Sequence, residues 1–184
     1  FAVDEGLVSV KEPVTTVRIH QENTDKLIIA EVPVKDGRYN EAGDYAISGV
    51  PGTGGKITLR FADPGGAVTG HLFPTGNVID SLDVPGLGSI DVTIIDAANP
   101  VLLVEASDIG LTGIEIEEID TTQAIKDKLE KIRCKAAVKI GLAETMEEAT
   151  QRSQAVPKIA FVSAPQSYTA LSGQHVKAEE VALT

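Results

Sequence analysis

Two β-branched, apolar runs open the chain, Val14 to Ile19 and Leu27 to Val34, around the polar segment His20-Gln21-Glu22-Asn23-Thr24-Asp25-Lys26. Apolar runs flanking a turn-forming centre predict a β-hairpin. Lys35-Asp36-Gly37-Arg38 predicts a further turn, and Ile57-Thr58-Leu59-Arg60-Phe61 alternates like a half-buried strand. Ile90 to Ile95 alternates in the same way, and Val101 to Val104 continues as a buried strand. The period then changes. From Thr121 to Ile140, the residues Ile125, Leu129, Ile132, Ala136 and Ile140 fall on one stripe, while Lys126, Asp127, Glu130, Lys131 and Arg133 fall elsewhere. That spacing predicts an amphipathic helix, with Gly141 placed to end it. A short helix is expected from about Met146 to Ser153, with Thr145 as N-cap and Glu148 at the capping-box position. Lys158 to Val162, after Pro157, reads as another strand. Strands, a long helix, a short helix and a strand in that order predict an α+β fold with mixed sheets.

Between the strands at Ile57 and Ile90 lies Asp63 to Asn77, DPGGAVTGHLFPTGN, rich in glycine and proline and nearly free of charge. A solvated linker carries more charge. The corners Asp63-Pro64-Gly65-Gly66 and Pro74-Thr75-Gly76-Asn77 bracket the apolar Val68, Leu72 and Phe73, so an ordered loop pressed against protein is expected. The Pro-Gly pair in Val84-Pro85-Gly86-Leu87-Gly88 suggests a domain boundary, dividing the chain into residues 1–84 and 85–184. Ile57 to Pro64 is echoed by Ile90 to Pro100, each an alternating strand that ends in an acid and then a proline, as a duplicated domain would leave. Phe1 to Val8 reads as the end of a helix entering a turn, and Ala178 to Thr184 as the opening of another, so both termini read as cut ends.

Charge narrows the function classes. A formal charge of −11, without a basic cluster, repels polyanions and excludes nucleic acid as the expected partner. No apolar run reaches the roughly 18 to 20 residues that span a bilayer, and a cytoplasmic protein is expected. One cysteine cannot form an internal disulfide, and three scattered histidines give no metal-ligand spacing. Gly52-Thr53-Gly54-Gly55-Lys56, within the glycine-rich stretch from Ser48, superficially resembles a phosphate loop, but the spacing is wrong and a strand rather than a helix follows Lys56.

Candidate side chains are few. Cys134 lies on the far side of the helix from the Ile125 stripe at roughly 100° per residue, facing water or a neighbouring element, and Arg133 and Lys135 point away from it. No lowered thiol pKa is therefore expected. His20, His71 and His175 stand apart from one another, and the acidic run Glu115 to Asp120 reads as a solvated helix N-terminus. Asn99 is the polar residue of most interest. In Ala97-Ala98-Asn99-Pro100 it sits where a strand ends, and its amide offers either an Asx-type turn to its own backbone or a donor and acceptor to a ligand carboxylate.

Several segments in order, namely Phe1 to Val8, Val32 to Gly37, Gly49 to Gly54, Asp63 to Gly70, Leu72 to Asn77, Asp96 to Pro100 and Val156 to Val162, together resemble the PrpF family of 2-methylaconitate cis-trans isomerases over almost the whole chain. Aconitate isomerases, methylitaconate isomerases and 4-oxalomesaconate tautomerases are similar to one another within it. The resemblance implies a diaminopimelate-epimerase-like fold: two similar domains, each a curled mixed sheet or barrel around a central helix, with the active site in the cleft between them. It places residues 1–84 at the back of domain one and residues 85–184 at the front of domain two. It implies a proton and double-bond shift on a small unsaturated di- or tricarboxylate, without metal or organic cofactor, in an enzyme that is compatible with a homodimer. The family's Lys and Cys acid and base candidates are expected before Phe1. Neither Lys56 nor Cys134 occupies those motif positions, so no catalytic residue is assigned to this chain. Asn99 falls in the family's DAANP segment and is the substrate-binding candidate. His71 stands where the family pattern leads one to expect Lys. A non-catalytic protein on the same scaffold, or a racemase, are the rival readings.

Overall fold

A computed structural model describes residues 1–47, 50–170 and 172–184 and divides into two compact units, Phe1–Pro64 and Gly65–Thr184. Ser48 and Gly49, the start of the glycine-rich stretch, lie outside the described residues.

In the first unit the expected hairpin is formed by β1 (Val14–Gln21) and β2 (Lys26–Lys35), antiparallel from Val14 opposite Pro33 to Gln21 opposite Lys26. The Gln21 side chain closes its turn by accepting hydrogen bonds from the Thr24 amide at 2.8 Å and the Thr24 hydroxyl at 2.9 Å. At Asp36-Gly37 both φ values are positive, 53° and 73°, the geometry of a tight primed turn into β3 (Arg38–Tyr39). A fourth strand, β4 (Thr58–Phe61), pairs with β2. Val3, Val17, Ala30 and Val34 form the core of this unit. The segment expected to end a helix is a single turn: Gly6, at φ 68°, lets its own amide reach Val3 O at 3.1 Å and the Leu7 amide reach Ala2 O at 2.9 Å.

The glycines of the rejected phosphate loop have a structural use. Gly54 exchanges backbone hydrogen bonds with Tyr45, the Gly55 amide reaches Glu41 O at 2.8 Å, and the Tyr39 hydroxyl reaches Gly55 O at 3.0 Å. A Cβ on Gly55 would collide with the Asn40 carbonyl, so backbone packs directly on backbone.

The second unit is a sheet in the order β5 (Asp80–Val84), β6 (Gly88–Ala97), β7 (Asn99–Glu105) and β8 (Lys158–Val162), with the first three antiparallel and β8 parallel to β7. The sheets formed by the described residues are open. The break between compact units falls at Pro64 and Gly65 rather than at Val84 and Pro85. Val84-Pro85-Gly86-Leu87 is instead the turn of the β5–β6 hairpin: the Leu87 amide donates to Val84 O at 2.9 Å, Pro85 takes the second position and Gly86, at φ 80°, the third.

Three helices fill the crossover from β7 to β8: α1 (Glu117–Thr121), α2 (Gln123–Lys139) and α3 (Met146–Arg152). The predicted stripe holds from Leu129 onward, with Ile132 and Ala136 fully buried in a cluster with Leu82, Ile94, Leu102 and Val104 and with Leu129 and Ile140 packed beside them, whereas Ile125 is half-buried and outside that cluster. The helix starts two residues later than expected because Thr122 adopts extended backbone, φ −102° and ψ 104°, and the acidic run folds into α1. Glu115 turns back to accept the Thr112 and Gly113 amides at 2.7 and 2.9 Å. Gly141 ends α2 as predicted, at φ 75°, with the Leu142 amide on Ala137 O at 2.9 Å. Thr145 caps α3, accepting the Glu148 amide at 3.1 Å. The C-terminal stretch opens no α-helix: Ala178–Glu180 is one 3-10 turn, and Thr184 exchanges backbone hydrogen bonds with Ser163. β9 (Tyr168–Thr169) and β10 (His175–Val176) form a separate two-stranded ribbon.

The internal echo is unequal in its surroundings. β4 is an exposed edge strand, and Asp63 is a surface residue 3.7 Å from Lys26; β6 lies inside its sheet, and Asp96 is fully buried.

Candidate active site

Along β6 the inward positions are Ile90, Val92, Ile94 and Asp96. The last of these puts a carboxylate where the alternation calls for an apolar side chain. It is not left bare: Asp96 Oδ2 accepts the Val68 amide at 2.8 Å, the Thr69 amide at 2.7 Å and the Thr69 hydroxyl at 2.9 Å. Its backbone binds the same loop, accepting from the Gly66 amide at 2.8 Å and donating to Leu72 O at 2.8 Å. Gly66, at φ 67°, curls the chain so closely that a Cβ there would collide with the backbone of Gly70 and His71. Oδ1 of Asp96 is buried without a hydrogen-bond partner among the described residues.

The other end of the loop is fastened in the same manner. Asp80, the first inward residue of β5, accepts the Thr75 hydroxyl at 2.5 Å and the Asn77 amide nitrogen at 3.1 Å, and lies 3.4 Å from Lys139 Nζ. Burial alone would raise its pKa, but the bonds from Thr75 and Asn77 and the Lys139 charge outweigh that and hold it below the ordinary carboxylate value. The loop from Gly65 to Asn77 is therefore fastened to the sheet, as expected, but by these two acids rather than by its apolar side chains, since Val68 and Leu72 are about half exposed. Sequence reasoning missed both anchoring acids. Parity was the available signal, since each continues the inward positions of its strand.

Asn99 opens β7 across the corner from Ala97. Ala98 makes the reversal, at φ 67°, and the exposed Asn99 amide forms no side-chain hydrogen bond to the described residues, so the Asx turn is not what shapes this corner. Gly65 bridges to Ala97, which sets the start of the loop against the end of β6, two residues before Asn99. A free amide beside a fixed loop can donate to and accept from a bound carboxylate.

The family model described as PrpF protein matches residues 1–184. A 3-methylitaconate isomerase of Eubacterium barkeri is 45% identical over 185 residues, covering 100% of this chain and 48% of the relative. A 2-methyl-aconitate isomerase of Shewanella oneidensis is 40% identical over 191 residues, with 100% and 48% covered. The crystal structure of a methylitaconate-delta-isomerase superposes with a TM-score of 0.87 at 45% identity, covering 99% of this chain and 47% of that one. The chain belongs to the PrpF family. It spans about half the length of the relatives it matches.

Of the remaining candidates of this PrpF-family chain, His71 belongs to the loop that Asp96 holds, whereas His20, His175 and Cys134 lie on other elements. His20 Nε2 meets Asp25 at 2.8 Å on the surface, and His175 sits in β10. His71 is exposed on the anchored loop, one residue from Leu72. Cys134 faces a neighbouring element, α3, packed with Ala137 and Ala149. Arg133, expected to point away, does not: it is buried at 5% exposure, its Nη2 lies 3.3 Å from the thiol, and it binds Glu130 and the carbonyls of Ala149 and Ser153. Burial nevertheless pushes the Cys134 thiol up, as expected for a thiol with no activation. Among the described residues no group of three or more His, Cys, Asp or Glu side chains could hold a metal, and no helix is long and apolar enough to cross a membrane.

Proposed function

We propose that the protein carrying this chain is an isomerase that moves a proton and a double bond on an unsaturated tricarboxylate of the 2-methylaconitate or aconitate type, and that Asn99 contacts a substrate carboxylate. The observation that supports this most is the free Asn99 amide on a corner tied to an anchored loop, in a PrpF-family chain whose relatives are named for such isomerisations. An amide supplies binding and orientation, not proton transfer, so the acid and base lie elsewhere in the protein. The proposed reaction needs neither metal nor organic cofactor. A methylitaconate-type acid is the second reading, favoured by the 45% identity to the 3-methylitaconate isomerase against 40% to the 2-methyl-aconitate isomerase.

The test is to incubate the full-length protein, with and without chelator, with aconitate, 2-methylaconitate and 3-methylitaconate in deuterated buffer, following the alkene by proton NMR. Conversion or solvent deuterium uptake with one of them is expected. No conversion and no uptake with all three would overturn the reading.

A further inference from the structure

We propose that Asp96 is a positioning residue: its buried carboxylate fixes the Gly66–Leu72 loop and the Ala97–Asn99 corner as one rigid piece, so that Asn99 meets a substrate carboxylate without first having to be ordered. The kinetic part of this inference rests on the function proposed above; the structural part does not.

Five hydrogen bonds join this one residue to the loop, three to Oδ2 and two through its backbone. The loop gives little apolar burial in return, since Val68 is 45% and Leu72 46% exposed. A valine or isoleucine at this inward position would serve the core better, because a buried carboxylate is costly and here one of its oxygens has no hydrogen-bond partner among the described residues. The acid is thus explained by the shape it imposes on the loop. Oδ2 gathers two consecutive amides and the hydroxyl of Thr69, and that hydroxyl also lies 3.2 Å from His71 O, so the turn around Gly70 is held from inside. Asn99 is three residues further along the same chain, past the single left-handed residue Ala98, and Gly65 bridges to Ala97. Loop and corner therefore cannot move independently while Asp96 holds both. Pre-ordering of this kind lowers the entropy lost on binding and shows in KM more than in kcat.

The experiment compares D96N, T69V, N99A and the double variant D96N/N99A in the full-length protein. T69V removes one donor and keeps the branched shape, so it carries the test if D96N does not fold. Expected are a KM raised about tenfold or more in D96N and severalfold in T69V, with kcat within about twofold. D96N should add little to N99A if it acts through that residue. An unchanged KM in folded T69V and D96N, or fully additive effects in the double variant, would overturn the proposal. Hydrogen exchange decides the clamp even if the protein converts none of the acids: peptides covering Gly66–Leu72 and Ala97–Asn99 should exchange faster together in T69V, with α2 unchanged. Faster exchange in the loop alone would sink the coupling of loop and corner.

Discussion

Asp80 on β5 and Lys139 in the last turn of α2 lie 3.4 Å apart, joining the first inward position of the sheet to the end of the helix that covers it. The Asp80 side chain is 2% exposed and that of Lys139 35%. Lys139→Met keeps the aliphatic stem but removes the charge, leaving a buried carboxylate served only by Thr75 and Asn77 among the described residues. A loss of about 1 to 2 kcal/mol is expected, below the figure for a fully buried pair because Lys139 is partly solvated. Urea unfolding of the two proteins measures it, and equal midpoints would refute it.

Acid should weaken the fold through several carboxylates, Glu130 and Asp80 the more buried among them. Glu130 is held below its ordinary value, first by hydrogen bonding from Arg133, and Asp80 is lowered because its bonds from Thr75, Asn77 and Lys139 outweigh burial. A depressed folded-state pKa contributes stability that is fully present above the ordinary carboxylate value of about 4 and is lost as pH falls below it. The urea midpoint should therefore fall between about pH 5 and pH 3, and Glu130→Gln should flatten that limb. An acid limb as steep in Glu130→Gln as in the wild type would count against it.

Cys134 should be a reporter of unfolding. Its thiol is buried at 1% exposure and pushed up by that burial, and Arg133 at 3.3 Å does not reverse the effect. Labelling with a disulfide reagent at about pH 8 should run at least tenfold more slowly in the native protein than in urea. Equal rates would show that α3 does not cover the thiol.

Asn99→Ala should raise KM about tenfold for an acid that the full-length protein converts, with kcat changed far less, because a binding contact is lost rather than a proton carrier. Asn99→Asp should be worse, since it sets a second carboxylate against the substrate's own. Steady-state kinetics at several salt concentrations would separate the two effects, and an unchanged KM in Asn99→Ala would remove the residue from the site.

Periodicity made most of the fold readable. The Val14–Val34 hairpin, the alternation from Ile90 and the Ile125–Ile140 stripe each depend on which side chains face inward, and that is local information. What failed was information carried by pairing and hydrogen-bond partners, some near and some distant in sequence. Pro85-Gly86 reads equally as a linker or as the second and third positions of a tight turn, and only pairing with β6 decides between them. By its helical spacing Arg133 points away from Cys134, yet three backbone carbonyls from α3 and the segment after it draw the guanidinium inward. Asp80 and Asp96 read as ordinary polar residues of half-exposed strands until their donors come into view, Thr75 and Asn77 just upstream for Asp80 and Val68 and Thr69 of a loop far back in the chain for Asp96. Asn99 was visible as a candidate because its motif was, whereas the acid that steadies its corner was not.

The parallel seating of β8 beside β7 has a consequence for how the chain is made. Antiparallel neighbours β5, β6 and β7 are linked by short reversals and can zip together while still emerging from the ribosome, but β8 must wait until the whole helical excursion has been synthesised and packed. During that wait β7 offers a bare hydrogen-bonding edge of apolar residues, Val101 to Val104, which makes it the stretch where a nascent or truncated chain is most open to misassembly with its own copies.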